Sequence, residues 1–259
     1  MEDLDRVTSS AEHEEHQLAD LAAIGLDWDG DVVRQSERFD RYDAAIARLT
    51  ALGVTYECFC TRREIRDAIS APHEGLLAYP GTCRELTADQ RLAMVREGRR
   101  PATRLRAGDV SVEVVDELAG SVRAAVDDVV LRRNDGVPAY NLAVVVDDAA
   151  QGVTEVVRGD DLLASTPRQV LPQRLLGLPT PRYVHVPLVL GADGARLAKR
   201  HGAVTLADLA ARGLNPANVR TLLDATLLDV ALPAAARFDV SGVPREPWVV
   251  PADLQRSDP

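Results

Sequence analysis

An α/β fold is what this sequence predicts, and three observations predict it. Segments with helical spacing alternate along the chain with short β-branched runs. A polar turn at residues 132–138 leads into the apolar run 139–146, which reads as a strand ending on Asp147 and Asp148. A second strand follows and stops at Arg158 beside Gly159. Paired as neighbours in one sheet, the two strands would bring Tyr140 and Arg158 together, where α/β folds hold small molecules.

The remaining elements follow in order. Residues 9–24 place Leu18, Leu21 and Ala22 at helical spacing behind Ser9 and Ser10 as candidate caps, and Gly25 is a natural stop. Residues 40–52 repeat the pattern with Tyr42, Ala45, Ile46, Leu49 and Leu52, and stop at Gly53. A short strand is expected over 54–59. Residues 61–100 form a polar, arginine-rich excursion. Segments 103–106 and 110–115 alternate like strands, and 126–131 joins the sheet segment. A helix is predicted over 162–176, with Thr166-Pro167 near its start and a kink at Pro172. A strand over 183–190 ends at Gly191, and the chain is helical again from Leu206. The proline-bearing tail (Pro233, Pro244, Pro247, Pro251) should be extended.

Composition narrows the function classes. The chain has 259 residues, enough for one large or two modest domains, and 46% apolar residues, enough for a core. Aromatics are only 4%, so that core must rest on Leu, Val and Ala. No apolar run approaches the ~20 residues of a membrane span, and the acidic start Met1-Glu2-Asp3-Leu4-Asp5 is unlike a targeting peptide. A net charge of −10 argues against a nonspecific nucleic-acid binder. It leaves room for a local basic stripe, for which arginines cluster at 62–66, 96–106 and 132–133.

Three cysteines make no even disulfide framework, which points to a reducing, cytoplasmic setting. Cys58-Phe59-Cys60 and Cys83 supply three of the four ligands a tetrahedral zinc site needs. By chemistry alone His73 is the obvious fourth. Further on, Lys199 follows a strand and the glycine-flanked turn 191–194. A lysine so placed suits a nucleotide polyphosphate, whose developing charge it would neutralise.

The run 132–162, with the Cys-x-Cys and lysine segments, resembles the class I glutamyl-tRNA synthetases, and among them the short glutamyl-Q tRNA(Asp) synthetases. The resemblance implies a Rossmann-like core with a small zinc-bearing insertion and a short helical C-terminal part. It divides the chain as 1–56 partial core, 57–105 insertion, 106–205 remaining core with the lysine loop, and 206–259 C-terminal region. Its Cys-x-Cys…Tyr-x-x-x-Cys arrangement points to Tyr79 as the fourth zinc ligand, ahead of His73. Its Lys-Met-Ser-Lys-Ser loop falls on residues 196–200: Lys199 matches the second lysine, Arg196 replaces the first, Leu197 the methionine, and Ala198 and Arg200 the two serines. His185-x-Pro187-Leu188 matches the preceding strand, with His185 approaching the adenosine. Glu2, Tyr140 and Arg158 would line the glutamate pocket.

The family core opens with a His-x-Gly-His-type ATP signature and a strand ending in Arg-x-Glu-Asp-x-Asp. Here Met1 aligns just after that arginine. The expectation is therefore that the start was assigned to an internal codon. The chain as written would then lack the first strand and helix, part of the nucleotide site and with them full catalytic competence, and it would expose a sheet edge prone to aggregation.

The implied activity is ATP-dependent activation of glutamate, with magnesium, followed by transfer to the queuosine of tRNA(Asp). About sixty residues follow Lys199, short for an anticodon-binding domain of typical size. A cytoplasmic monomer is expected. Two other readings stand beside this one: a truncated conventional glutamyl-tRNA synthetase, and a non-catalytic zinc-bearing RNA-binding remnant.

Overall fold

Helix α1 (Ala11–Ala23) begins where a cap invites it. Ser10, in extended backbone, accepts the His13 amide through its hydroxyl at 3.1 Å. Helix α2 (Phe39–Ala51) buries Tyr42, Ala45, Ile46 and Leu49, the i, i+3, i+4, i+7 stripe visible in the sequence. The computed structural model describes residues 1–5, 7, 9–68, 79–108, 110–191, 193–197, 205–228 and 240–250. The chain divides into two compact units. One comprises Met1–Arg6, Val33–Val156 and Leu163–Tyr183; the other comprises Val7–Val32, Val157–Leu162 and Val184–Pro259.

In the first unit, β1 (Thr55–Cys58) carries the chain to the cysteines, followed by α3 (Arg62–Ala68) and α4 (Ala88–Arg96). Helix α4 starts at a reciprocal cap, in which Thr87 accepts the Gln90 amide and the Gln90 side chain accepts the Thr87 amide. Strand β2 (Ala102–Leu105) pairs antiparallel with β1 on one side and with β5 (Val130–Arg132) on the other. Strand β3 (Ser111–Asp116) alternates exposed and buried positions and forms a hairpin with β4 (Gly120–Ala125). The Asp116 carboxylate closes that turn by accepting the Leu118 and Ala119 amides at 3.0 and 2.8 Å, and Gly120 takes a positive φ of 76°.

A second sheet has the order β4-β3-β7-β6, with β6 (Glu155–Gly159) and β7 (Arg182–Val186); β3 and β7 run parallel. Helices α5 (Tyr140–Gln151) and α6 (Pro167–Leu176) complete the first unit. Its core gathers Leu49, Leu105, Leu131 and Leu142, all with no exposed surface, around Val112 and Val170. Each such leucine contributes about 1.5–3 kcal/mol by burial. The second unit holds α1, the parallel pair β8 (Val189–Leu190) and β9 (Trp248–Val249), and helices α7 (Leu206–Ala210) and α8 (Pro216–Leu228). Among the described residues no helix is long and apolar enough to cross a membrane.

Three expectations are corrected, and one strand was not expected. Residues 139–146 are not a strand: Tyr140 opens α5, which runs to Gln151 and stops at Gly152 with φ 70°. The triple Val144–Val146 favours a strand locally, but Leu142, Ala143, Val145 and Asp147 bury as a helical face, and packing overrides propensity. The strand expected over 126–131 is the shorter β5, while Val126 packs in the core just after β4. Strand β4 was not foreseen, since its Gly-Ser-Val-Arg-Ala-Ala sequence lacks a strong β signal. Finally, the helix expected from 162 begins at Pro167 after a 3-10 segment, and continues through Pro172 to Leu176. In the tail, Pro244 and Pro247 are described, beside β9 and a 3-10 turn, whereas Pro233 and Pro251 lie outside the described residues.

Candidate functional site

The three cysteines converge in the first unit. Strand β1 delivers Cys58 at its end, Cys60 follows, and Cys83 returns from beyond the excursion; their sulfurs lie within 4.8 Å of one another. Cys60 Sγ is 3.4 Å from Cys83 Sγ. The Tyr79 hydroxyl joins them at 3.3 Å from Cys58 Sγ and 3.6 Å from Cys60 Sγ, and it accepts the Cys83 amide at 2.9 Å. A zinc tetrahedron with Zn–S near 2.3 Å has S···S edges of about 3.8 Å and S···O edges of about 3.5 Å. Three thiols and a phenol at these spacings fit that polyhedron.

The electrostatics point the same way. Burial, with the hydrogen bond that Cys60 gives to Cys83 and the neighbouring thiols, pushes the Cys60 thiol up to about 12. Burial and the Cys58 contact also raise Tyr79. Cys83 is lowered although burial opposes it, because the Phe59 amide, Tyr79 and Cys60 donate towards its sulfur. Packed donors of one sign resist successive ionisation, and a divalent cation reverses that preference. His73, the alternative fourth ligand, lies outside the described residues.

The second unit holds the remaining signals. Arg158 on β6 donates its Nε–H to His185 Nε2 on β7 at 3.0 Å, and His185 is only 3% exposed. Close by in sequence, Asp161 pairs with Arg196 at 2.6 Å. Gly159 is needed between them, since a Cβ there would lie 2.8 Å from Asp161 Oδ1 and 2.9 Å from Leu188 Cδ2. The segment before the lysine loop is a tight hairpin. Gly191 N–H donates to Ala195 O at 2.8 Å and Leu197 N–H to Val189 O at 3.2 Å, with Gly194 at φ 72°. Lys199, like Ala198, Arg200 and His201, lies outside the described residues.

The other expected ligands belong to the first unit. Tyr140 stands at the first turn of α5, 37% exposed. Glu2 is exposed on a segment held in place by backbone pairing: Gln35 N–H donates to Met1 O at 3.1 Å, and Asp3 accepts the Ser36 amide at 2.9 Å. Four arginines of the three clusters are ion-paired with carboxylates: Arg99 with Glu64, Arg106 with Glu85, Arg132 with Asp43 and Arg133 with Asp135. Arg99 and Arg100 line an open cavity of about 410 Å³ with Thr61, Asn134 and Asp135. Sequence reasoning missed the roles of Asp127 and Arg104, which touch Tyr79, and of Asp128, which holds Tyr56 and Arg84. The acidic pair was visible, but flanking valines made it read as part of a strand.

Known proteins give the wider frame. A glutamyl-Q tRNA(Asp) synthetase of Nocardia farcinica is 60% identical over 96% of this chain and 81% of its own length. One from Symbiobacterium thermophilum is 46% identical over 98% of this chain and 85% of its own. The crystal structure of a glutamate-tRNA synthetase from Elizabethkingia anophelis superposes with a TM-score of 0.78 at 23% identity, which shows the shared fold. That match covers 98% of this chain, and the chain spans about 61% of that protein's length. The family model for the catalytic domain of class I tRNA synthetases (E and Q) matches residues 1–230. The chain belongs to the class I glutamyl/glutaminyl family of tRNA synthetases, a family of ligases.

Proposed function

We propose that the chain activates glutamate with ATP and transfers it to the queuosine of tRNA(Asp), acting as a monomer in the cytoplasm. The observation that carries the reading is the bond between Arg158 and His185. A residue suited to the amino acid and one suited to the nucleotide sit 3.0 Å apart, as a reaction joining the two substrates requires. The 60% identity to a glutamyl-Q tRNA(Asp) synthetase supports this reading ahead of the conventional glutamyl-tRNA synthetase and of a non-catalytic remnant.

In this reading the Arg158 fork suits a glutamate carboxylate, Tyr140 is a hydroxyl donor and Glu2 a partner for an ammonium group. His185 and Arg196 face the adenosine and phosphates, and Lys199 neutralises charge as the α-phosphate is attacked. A glutamate carboxylate oxygen bonds to the α-phosphorus, pyrophosphate leaves, and the mixed anhydride then acylates a queuosine hydroxyl with release of AMP. Magnesium, when bound, supplies charge neutralisation on the phosphates. Cys58, Cys60, Tyr79 and Cys83 would hold zinc, whose contribution is a cross-link that orders the excursion. RNA phosphates would approach the cavity bordered by Arg99 and Arg100.

The test is pyrophosphate exchange with glutamate and ATP in the absence of tRNA, followed by transfer to purified tRNAs. Exchange and acceptance by queuosine-containing tRNA(Asp), but not by tRNA(Glu), are expected. Exchange with acceptance only by tRNA(Glu) would establish the conventional synthetase, and no exchange would leave the RNA-binding remnant.

A further inference from the structure

Tyr79 is held from more sides than thiol contacts require. Its amide N–H donates to Asp127 Oδ2 at 3.0 Å, and Asp127 in turn pairs with Arg168 of α6 at 2.6 Å. The Arg104 guanidinium lies 3.9 Å from the centroid of its ring. Asp128, next in the chain and fully buried, reaches the rest of the cluster. Its Oδ2 accepts the Tyr56 hydroxyl at 2.5 Å and Arg84 Nε–H at 2.9 Å, and its Oδ1 accepts the Ala107 amide at 2.8 Å. Its carbonyl accepts an Arg104 N–H at 2.7 Å. Tyr56 stands two residues before Cys58 and Arg84 one after Cys83, so two consecutive aspartates anchor the segments carrying Cys58, Tyr79 and Cys83.

Arg104 is the costly member of this arrangement. It is 7% exposed, and its Nε is buried without a hydrogen-bond partner. Burying a guanidinium so incompletely satisfied opposes folding. Besides its hydrogen bond to the Asp128 carbonyl, its gain is the face of one phenol, where a desolvated cation–π contact is at its strongest. That contact also limits the swing of the whole ring about the Cα–Cβ bond, the motion that would carry the hydroxyl away from the sulfurs.

We propose that Arg104, Asp127 and Asp128 are positioning residues of the metal centre, holding Tyr79 at the fourth corner of a zinc-sized tetrahedron. The inference rests on the zinc reading above. Groups that orient a ligand from behind carry about 10- to 100-fold in metal affinity. Here the orientation is supplied by a stacked cation and an anchored backbone in place of a hydrogen bond to the ligand's far side.

The experiment measures zinc affinity by competition with a chromophoric chelator, and the absorption spectrum at saturating cobalt(II). It uses wild type, Tyr79→Phe, Arg104→Met, Arg104→Lys and Asp127→Asn. Arg104→Met and Asp127→Asn should bind zinc about 10- to 100-fold more weakly. The cobalt spectrum of Arg104→Met should move towards that of Tyr79→Phe even when the site is full, which a mere loss of stability would not produce. Arg104→Lys keeps the charge but lacks the planar stack, and should fall between. If Arg104→Met does not fold, Asp127→Asn carries the test. Folded variants with wild-type affinity and spectrum would overturn the inference, as would a Tyr79→Phe spectrum identical to wild type. A wild type that binds neither zinc nor cobalt would remove the metal reading itself.

Discussion

Arg158 gives its Nε–H to the Nε2 lone pair of His185 across neighbouring strands at 3.0 Å. The bond orients the guanidinium from behind and requires an unprotonated Nε2 on the histidine. A lysine at 158 would keep the charge but lose both the fork and this hold. Arg158→Lys should raise the KM for glutamate in pyrophosphate exchange by roughly 30- to 150-fold, equal to about 2–3 kcal/mol for a charged hydrogen-bonded contact. An unchanged KM would remove Arg158 from the glutamate pocket.

Lys199 is the single lysine of the chain. Periodate-oxidised ATP, which condenses with amines, should therefore label one side chain. The other amine, at Met1, donates to Val33 O at 2.6 Å. Mass mapping should find the adduct on Lys199, and ATP should protect it. Labelling confined to Met1, or insensitive to ATP, would take Lys199 away from the nucleotide.

Tyr42 on α2 donates to Asp147 on α5 at 2.7 Å inside the core, and Arg38 pairs with the same carboxylate at 3.2 Å. Burial and the carboxylate together raise the Tyr42 phenol, so it stays a donor throughout the ordinary pH range. Tyr42→Phe leaves Asp147 short of one partner and should cost about 1–3 kcal/mol. The midpoint of denaturant unfolding reads this directly, and an unshifted midpoint would contradict it.

Acid should reach the metal module through Asp128. Burial opposes ionisation of this carboxyl, but hydrogen bonds from Arg84, Tyr56 and the Ala107 amide outweigh burial and lower its pKa. A carboxyl lowered in the folded state adds stability in full above its unfolded value, near 3.9, and loses it as pH falls through the folded value. Stability should therefore decline below about pH 4, and Asp128→Asn should flatten that decline while lowering stability at neutral pH. Parallel pH profiles for the two proteins would show that Asp128 does not couple to folding.

Much of the architecture was open to reading because its signals are local. The stripe of α2, the Ser10 cap of α1 and the alternation of β3 depend on residues a few positions apart. Helix α5 was not legible for the opposite reason. Its valines suit a strand, and only burial of Leu142, Ala143, Val145 and Asp147 on one face makes a helix the lower-energy choice. The expected neighbourhood of Tyr140 and Arg158 rested on that misread strand. What the fold provides for Arg158 is His185, a residue 27 positions away that spacing alone does not connect to it.

The chain by itself determined which chemistry was on offer: three thiols at zinc-like spacing, a lone lysine after a glycine turn, and an arginine closing a strand, while the Tyr79 phenol was named only by the family resemblance. Only the tertiary structure decided how those groups are held, since a side chain's environment is made by segments distant in sequence. It set Asp128 behind the cysteine module, laid Arg104 on Tyr79 and gave Asp161 to Arg196. Burial strengthens the contacts of Asp128 and Arg104, and burial is a property of the folded chain as a whole.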